Sequence, residues 1–458
     1  MIFGISLLSF VHIFCVVGLN QIQVENQIDK VVMPDNLKVG LMVAEQRKKC
    51  ASGDCFEEFY GLGFGQSPFH VPSVLSNALS ENADKGHYSA AEGIFELREV
   101  IANFNKRHFD LDVDPSRIVI GPGAKDIINT LFGIIKGRVI LPLPPWIEYR
   151  PQIYLLNKHF HTLHLKPEDN YKIKPDKFEE FLSEFSGEQH ILVLNNPHNP
   201  TGTLYTKQEL EDLADVCRRN NILVLADKIY ALDTYDMSEF TSMGKVCPEG
   251  TLVTNGLSKD RYAGGYRLGS CILPATSASK LASDYKKVAA TVYTNVFTPT
   301  QYAAVKAYEP NEEIEDYINT TRQIHRIMGN YLSEQWNSLD GITATKPEGA
   351  FYFFADFNSL SDNLKKKEVN TSNRLAESLL SCPFHIAIVT DDACMLEPDD
   401  FGARIAFVDY DGKKTFDDYK NNKPQNSSEE LEFVLRNAPL MVRSIASLKE
   451  WIKYIKSD

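Results

Sequence analysis

Nowhere in this 458-residue chain are Lys and Arg gathered into a stripe with interleaved aromatics. That absence excludes the electrostatic footprint of a nucleic-acid-binding protein. The net charge of −13 says little about small anionic ligands, because a local pocket can oppose the global field. No cysteine–histidine cluster has zinc spacing. There is no Walker A motif, and Gly61-Leu-Gly-Phe-Gly65 is not a dinucleotide fingerprint, since its spacing is wrong and no βα unit follows. Internal repeats and long low-complexity runs are also missing. A content of 43% hydrophobic and 24% charged residues excludes wholesale disorder. The length suits two or three domains, or one large α/β domain with a smaller companion.

The first 19 residues are almost wholly apolar yet contain no Lys or Arg, so the positive start of a secretory signal is missing. The stretch is just long enough to span a bilayer. Val16-Val17-Gly18 offers a small residue for a signal peptidase. Three readings stay open: a cleaved signal, a signal anchor, or a start placed too far upstream. A secretory or membrane-anchored location through residues 1–19 is favoured over the cytoplasm. Asn319-Thr-Thr, Asn370-Thr-Ser and Asn426-Ser-Ser would be glycosylation triplets there. Of eight cysteines, Cys50 and Cys55 are close enough to bridge in an oxidising compartment. Cys217, Cys247, Cys271, Cys382 and Cys394 are expected to be buried thiols.

From residue 116 to 273 short apolar runs alternate with amphipathic segments. Strands are expected at Arg117–Gly121, Arg138–Leu143, His190–Asn195, Ile222–Asp227 and Thr251–Thr254, with helices at Lys125–Ile135 and Thr206–Asn220. Continuous apolar strands between helices indicate a mostly parallel sheet covered on both faces, with ligands at the carboxyl ends of its strands. After Thr300 a long helix is expected over Asn311–Leu339. A strand at Phe351–Phe357, a helix at Thr371–Ser381 and strands near Ile386–Val389 and Ala403–Val408 follow. Residues 411–430 read as an exposed polar excursion, and a terminal helix as starting near Ile445. The expected division is a leader (1–19), an N-terminal segment joining the small domain (20–72), a large domain (73–300) and a smaller α+β domain (301–458).

The chemistry gathers just after the strands. Ser258-Lys-Asp-Arg-Tyr-Ala-Gly-Gly-Tyr-Arg-Leu-Gly269 carries a lysine that can form an imine with an aldehyde. Eight residues on, Arg267 can hold a phosphate. The pairing suggests pyridoxal phosphate, provided other segments supply the remaining contacts. Gly121-Pro-Gly-Ala-Lys125 opens a helix whose free N–H groups suit a phosphate, though it also reads as a plain turn. Trp146 could stack on a flat ring or simply pack in its loop. Asn195-Asn-Pro-His-Asn-Pro-Thr-Gly202 is more specific: two X-Pro bonds fix an extended loop from which Asn199 can donate to a phenolate oxygen. Asp227, at a strand end, can pair with a protonated pyridine nitrogen, and Tyr230 can bond the ring oxygen.

Asn-Pro-x-Asn-Pro-Thr-Gly, then Asp-x-x-Tyr, then Ser-Lys with Arg eight later, resembles the class I/II aminotransferases of pyridoxal-phosphate fold type I, over roughly residues 60–410. Asn255-Gly-Leu-Ser-Lys259, Gly123-Ala-Lys125 and Pro347-Glu-Gly-Ala-Phe-Tyr352 look closest to the prokaryotic-type aspartate aminotransferase branch. The resemblance implies an α/β fold: a large domain with a mostly parallel mixed sheet, plus a smaller α+β domain. It implies Lys259 as Schiff-base lysine and proton shuttle, Asp227 at the pyridine nitrogen, Asn199 and Tyr230 at the ring oxygen, and Trp146 on the ring. Gly123, Ala124, Ser258 and Arg267 would surround the phosphate. Tyr88, in His87-Tyr-Ser-Ala-Ala-Glu-Gly93, would reach the phosphate of a neighbouring subunit, which implies a homodimer with shared sites. Arg404 would bind the substrate α-carboxylate as a bidentate fork, Gly65 would touch substrate, and Lys125 could meet a distal carboxylate. The implied reaction moves the amino group of an L-amino acid to a 2-oxo acid.

Three departures bear on the substrate. Position 228 is Lys, where the family has an acid or a small residue. Thr390-Asp-Asp-Ala-Cys-Met395 replaces a Pro-Gly turn, and the 411–430 segment is extra. Fold alone does not separate the transaminase from a pyridoxal-phosphate lyase of the cysteine-conjugate β-lyase or aminocyclopropane-carboxylate-synthase type. A non-catalytic pyridoxal-phosphate-binding protein is the third reading, which the Lys259, Asp227 and Arg404 set opposes.

Overall fold

Continuous apolar runs form the centre of the molecule. The computed structural model describes residues 25–31, 40–45, 48, 58–185, 188–390 and 394–457. The leader, the Cys50–Cys55 pair and residues 391–393 lie outside the described residues. In chain order the strands are β1 (Tyr60–Gly61), β2 (Ile118–Gly121), β3 (Arg138–Leu143), β4 (Phe160–His164), β5 (His190–Asn195), β6 (Ile222–Asp227) and β7 (Thr251–Gly256). They continue with β8 (Gly269–Ile272), β9 (Thr343–Ala344), β10 (Tyr352–Asp356), β11 (Ile386–Ala387), β12 (Val389–Thr390) and β13 (Gly402–Ala406).

The central sheet has the order β2-β8-β7-β6-β5-β3-β4. Only β8 runs against its neighbours, pairing antiparallel with β2 and β7. Each inner strand is apolar on both faces because both are covered. On β5, Ile191 and Val193 pack into one core with Ile128 and Leu131, while Leu192 and Leu194 pack into another with Leu210 and Leu213. Burying each such side chain contributes about 1.5–3 kcal/mol. The helix Lys207–Arg219 begins at a reciprocal cap: Glu209 N–H donates to Thr206 Oγ1 (3.2 Å), and Thr206 N–H donates to Glu209 Oε2 (2.9 Å). That cap fixes where the chain turns back after the Asn-Pro loop.

A second, antiparallel sheet has the order β12-β13-β10-β9. Its core includes Trp336, from the helix Glu312–Asn337, together with Phe353, Phe357 and Trp451. The N-terminal segment joins this region, since β1 pairs in parallel with β11.

Three expectations fail here. Residues 411–430 are not an excursion: they contain the helix Gly412–Asn421 and the start of the helix Ser427–Asn437. Asp411 caps the first, Asn426 caps the second, and Tyr419 is buried against Phe433. The high polarity belongs to the outer faces, where pairs such as Lys413–Asp417 (2.7 Å) sit. The terminal helix starts at Pro439 rather than near Ile445, because Met441, Ile445, Leu448, Ile452 and Ile455 make one continuous buried stripe. Among the cysteines, Cys217, Cys247 and Cys271 are buried free thiols and Cys394 is buried, but Cys382 is exposed, on the turn after the helix Ser372–Leu380.

Candidate active site

The loops leaving the carboxyl ends of the central strands, with Gly65 and β13, wall one cleft of about 230 Å³. Gly65, Ala124, Lys125, Trp146, Asn199, Asp227, Tyr230, Ser258, Lys259, Arg267 and Arg404 all line it. Gly123 sits directly behind the Arg267 guanidinium. Tyr88 does not line the cleft; it is 84% exposed on the surface.

Asp227 ends β6 as a buried carboxylate. Tyr149 donates to its Oδ2 (2.9 Å), while Ile229 N–H (3.2 Å) and Thr254 Oγ1 (3.4 Å) donate to its Oδ1. Burial pushes this carboxyl up from the usual range, and those donors oppose the shift. Asn195, at the end of β5, locks the adjoining loop: its Nδ2 donates to Asp227 O (2.9 Å), and its Oδ1 accepts from Asn199 N–H (2.6 Å).

One chain of hydrogen bonds crosses the floor. Arg404 Nη1 donates to Asn199 Oδ1 (3.4 Å), Asn199 Nδ2 to Tyr230 Oη (3.4 Å), and Tyr230 Oη to Tyr352 Oη (3.1 Å). Tyr352 Oη then donates to Gly65 O (3.2 Å), the carbonyl that also accepts from Lys259 Nζ (3.1 Å). Burial, and then the neighbouring Tyr352, hold the Tyr230 phenol well above its usual pKa, so it stays a donor. A side chain at Gly65 would collide with the Tyr352 hydroxyl. Arg404 is 1% exposed, donates to Gly63 O (2.8 Å) and lies over the Tyr352 ring (4.6 Å); its Nε has no partner among the described residues.

At the other end the helix Ala124–Ile134 opens without a side-chain cap, at Gly123, whose φ of 91° disfavours any larger residue. A Cβ there would meet Arg267 Nη2 at 2.6 Å. Arg267 bridges the loops, donating to Gly264 O (2.9 Å) and Pro122 O (3.1 Å), and each Nη keeps a second hydrogen. An uncapped helix start beside a guanidinium suits a phosphate. A buried carboxylate suits a protonated ring nitrogen, and the Lys259 amine suits an aldehyde. The residues present therefore fit pyridoxal phosphate.

Sequence reasoning missed Tyr149, Thr254 and Tyr352. Tyr352 closes the Pro347–Tyr352 segment and Tyr149 lies three residues after Trp146, but nothing local shows that their hydroxyls turn inward. It also missed Glu148, whose Oε1 pairs with Lys125 Nζ at 3.0 Å.

Lys228 faces away from the cleft. It is 3% exposed, with Nζ donating to Asn105 Oδ1 (2.5 Å) and lying 3.7 Å from the Phe109 ring centre. Burial pulls its pKa down to about 7, partly opposed by Asp260. Between pH 7 and 10.5 the unfolded chain thus holds a proton that the folded chain has released, so this lysine makes stability rise with pH across that window. Lys228→Met should remove the rise. Urea titrations at pH 7 and pH 10 are expected to show wild type gaining about 2–4 kcal/mol on the variant between them. An unchanged difference would contradict the burial.

The comparisons with known proteins agree with this geometry. The family model for aminotransferase class I and II matches residues 57–401. The aspartate aminotransferase of Bacillus sp. (strain YM-2) is 29% identical over 330 residues, covering 70% of this chain and 81% of the relative. That of Bacillus subtilis (strain 168) is 30% identical over 319 residues, covering 68% and 78%. The solved aspartate aminotransferase from Thermus thermophilus with maleate has a TM-score of 0.76 at 21% identity, covering 94% of this chain and 99% of that one, and so shares the fold. None of these favours the lyase alternative. They overturn the expected secretory or membrane-anchored location, since the relatives are bacterial aspartate aminotransferases. No helix among the described residues is long and apolar enough to cross a membrane. The chain belongs to the class I and II aminotransferases, on the aspartate aminotransferase branch, and is a fold type I enzyme that carries out transamination with pyridoxal 5'-phosphate.

Proposed function

We propose that Lys259 is the proton-transferring amine of this transaminase and that Arg404 holds the substrate α-carboxylate. The observation that carries the reading is the convergence of a buried carboxylate, an amine and a buried guanidinium on one cleft. Asp227 would hold the ring nitrogen, Asn199 and Tyr230 the ring oxygen, and Trp146 the ring face. Gly123, Ala124, Ser258 and Arg267 would hold the phosphate. Pyridoxal phosphate supplies an electron-accepting ring that stabilises negative charge at the substrate α-carbon.

Arg404 presents a planar fork in a water-poor wall, so a carboxylate gains two parallel charge-assisted bonds. Gly65 lets substrate approach Tyr352 and Lys259 closely. Lys259 Nζ would take the α-proton from the substrate and hold it for return, with the Gly65 carbonyl orienting the amine. Tyr230 remains protonated and donates a hydrogen bond throughout. Exposed Tyr88 supports a homodimer in which each subunit completes its neighbour's phosphate site. The division at residues 72 and 300 into an N-terminal segment, a large domain and a small domain belongs to the same proposal.

Mixing the purified protein, loaded with pyridoxal phosphate, with single amino acids and no oxo acid tests the reaction. One equivalent of oxo acid per site, with a matching change in the visible band, is the expected result. Oxo acid and ammonia released over many turnovers would mean elimination instead.

A further inference from the structure

The distal wall of the cleft carries a charge pair of its own. Lys125 is on the first turn of the helix Ala124–Ile134, and Glu148 follows Trp146 on the loop after β3. Their Nζ and Oε1 lie 3.0 Å apart, and the Lys125 ammonium also sits 5.5 Å from the Trp146 ring centre. The Glu148 side chain is only 12% exposed, against 46% for Lys125. The Glu148 carboxyl thus lies inside the cleft, where solvent screens it little.

Resting on the transaminase reading above, we propose that the Lys125–Glu148 pair selects substrates whose side chain ends in a primary carboxamide over those ending in a carboxylate. A lone lysine would draw a second carboxylate. Paired with Glu148, it presents a donor and an acceptor side by side with no net charge. A carboxamide matches this arrangement: its oxygen accepts from Lys125 Nζ and its NH₂ donates to Glu148. A carboxylate placed there meets the Glu148 oxygens as a like charge, or must break the ion pair to enter. Selectivity arises from this repulsion as much as from the amide bonds.

The test compares kcat/KM for L-asparagine with L-aspartate, and for L-glutamine with L-glutamate, in wild type, Glu148→Gln and Glu148→Ser. Wild type is expected to prefer each amide by roughly tenfold or more. Both variants leave Lys125 uncompensated and should move the ratio toward the diacid by about tenfold. Glu148→Gln keeps the shape of the side chain, which guards against a folding defect in Glu148→Ser. Binding of succinate against its monoamide succinamate, titrated without an amino donor, should follow the same order. A wild type that prefers the diacids, or ratios unchanged in both variants, overturns the proposal. If other amino acids yield oxo acid while the amide preference is absent, only this inference falls. If no amino acid yields oxo acid, the transaminase reading falls with it.

Discussion

Lys259→Ala is expected to lower the rate of the amino-donor half-reaction by at least about 10⁴-fold, because one amine serves both as nucleophile and as proton carrier. A positioned acid–base group alone contributes roughly 10²- to 10⁴-fold. No neighbour can take over. Tyr230 and Tyr352 are the nearest hydroxyls in the network, but both are engaged as donors, and burial keeps the Tyr230 phenol protonated. Lys259 Nζ lies over the rings of Tyr230 (5.5 Å) and Phe351 (5.4 Å), faces that would not replace a proton acceptor. Cofactor retention should survive, since the proposed phosphate and ring contacts are untouched. Two measurements check this: stopped-flow absorbance of the half-reaction, and mass mapping of the peptide that carries a pyridoxyl group after borohydride reduction. Retention of even a hundredth of the wild-type rate, or a label on another lysine, would remove Lys259 from its role.

Arg404→Lys should act through substrate binding rather than through the proton transfer. Arg404 is held in place from three directions, by Gly63 O, Asn199 Oδ1 and the Tyr352 ring. A lysine keeps the charge but loses the fork, so a carboxylate would be met by one bond at the wrong height. Truncating one partner of a buried charge pair costs about 2–5 kcal/mol, or roughly 30-fold to a few thousand-fold in kcat/KM. Most of the loss should fall on KM for both amino donor and oxo acid, because both carry the same carboxylate. Steady-state kinetics on both half-reactions check it. An effect on only one of them would show that Arg404 reads something other than the shared carboxylate.

The boundaries of β3, β5 and β6 match the sequence expectation residue for residue. Their signals are local: apolar runs ended by Pro144-Pro145, Asn195 and Asp227. The Thr206 cap is likewise written within four residues. The 411–430 segment is polar in composition yet helical in conformation. Its caps, Asp411 and Asn426, were visible, but the burial of Tyr419 against Phe433 was not.

The sequence by itself determined the alternating layers, the strand-end loops and the identity of the residues those loops carry, because periodicity, capping and X-Pro stiffness act over a few positions. Tertiary structure alone decided most of the hydrogen bonds those residues share, since these join groups far apart in the chain. Arg404 meets Asn199 across 205 residues, Tyr149 meets Asp227 across 78, and Lys228 meets Asn105 across 123. The same holds for charge. Whether Lys125 offers an open cation or one already answered by Glu148 depends on the helix after β2 meeting the segment after β3, where Gln152 Nε2 donates to Lys125 O (3.1 Å), although four strands separate β2 from β3 in the sheet.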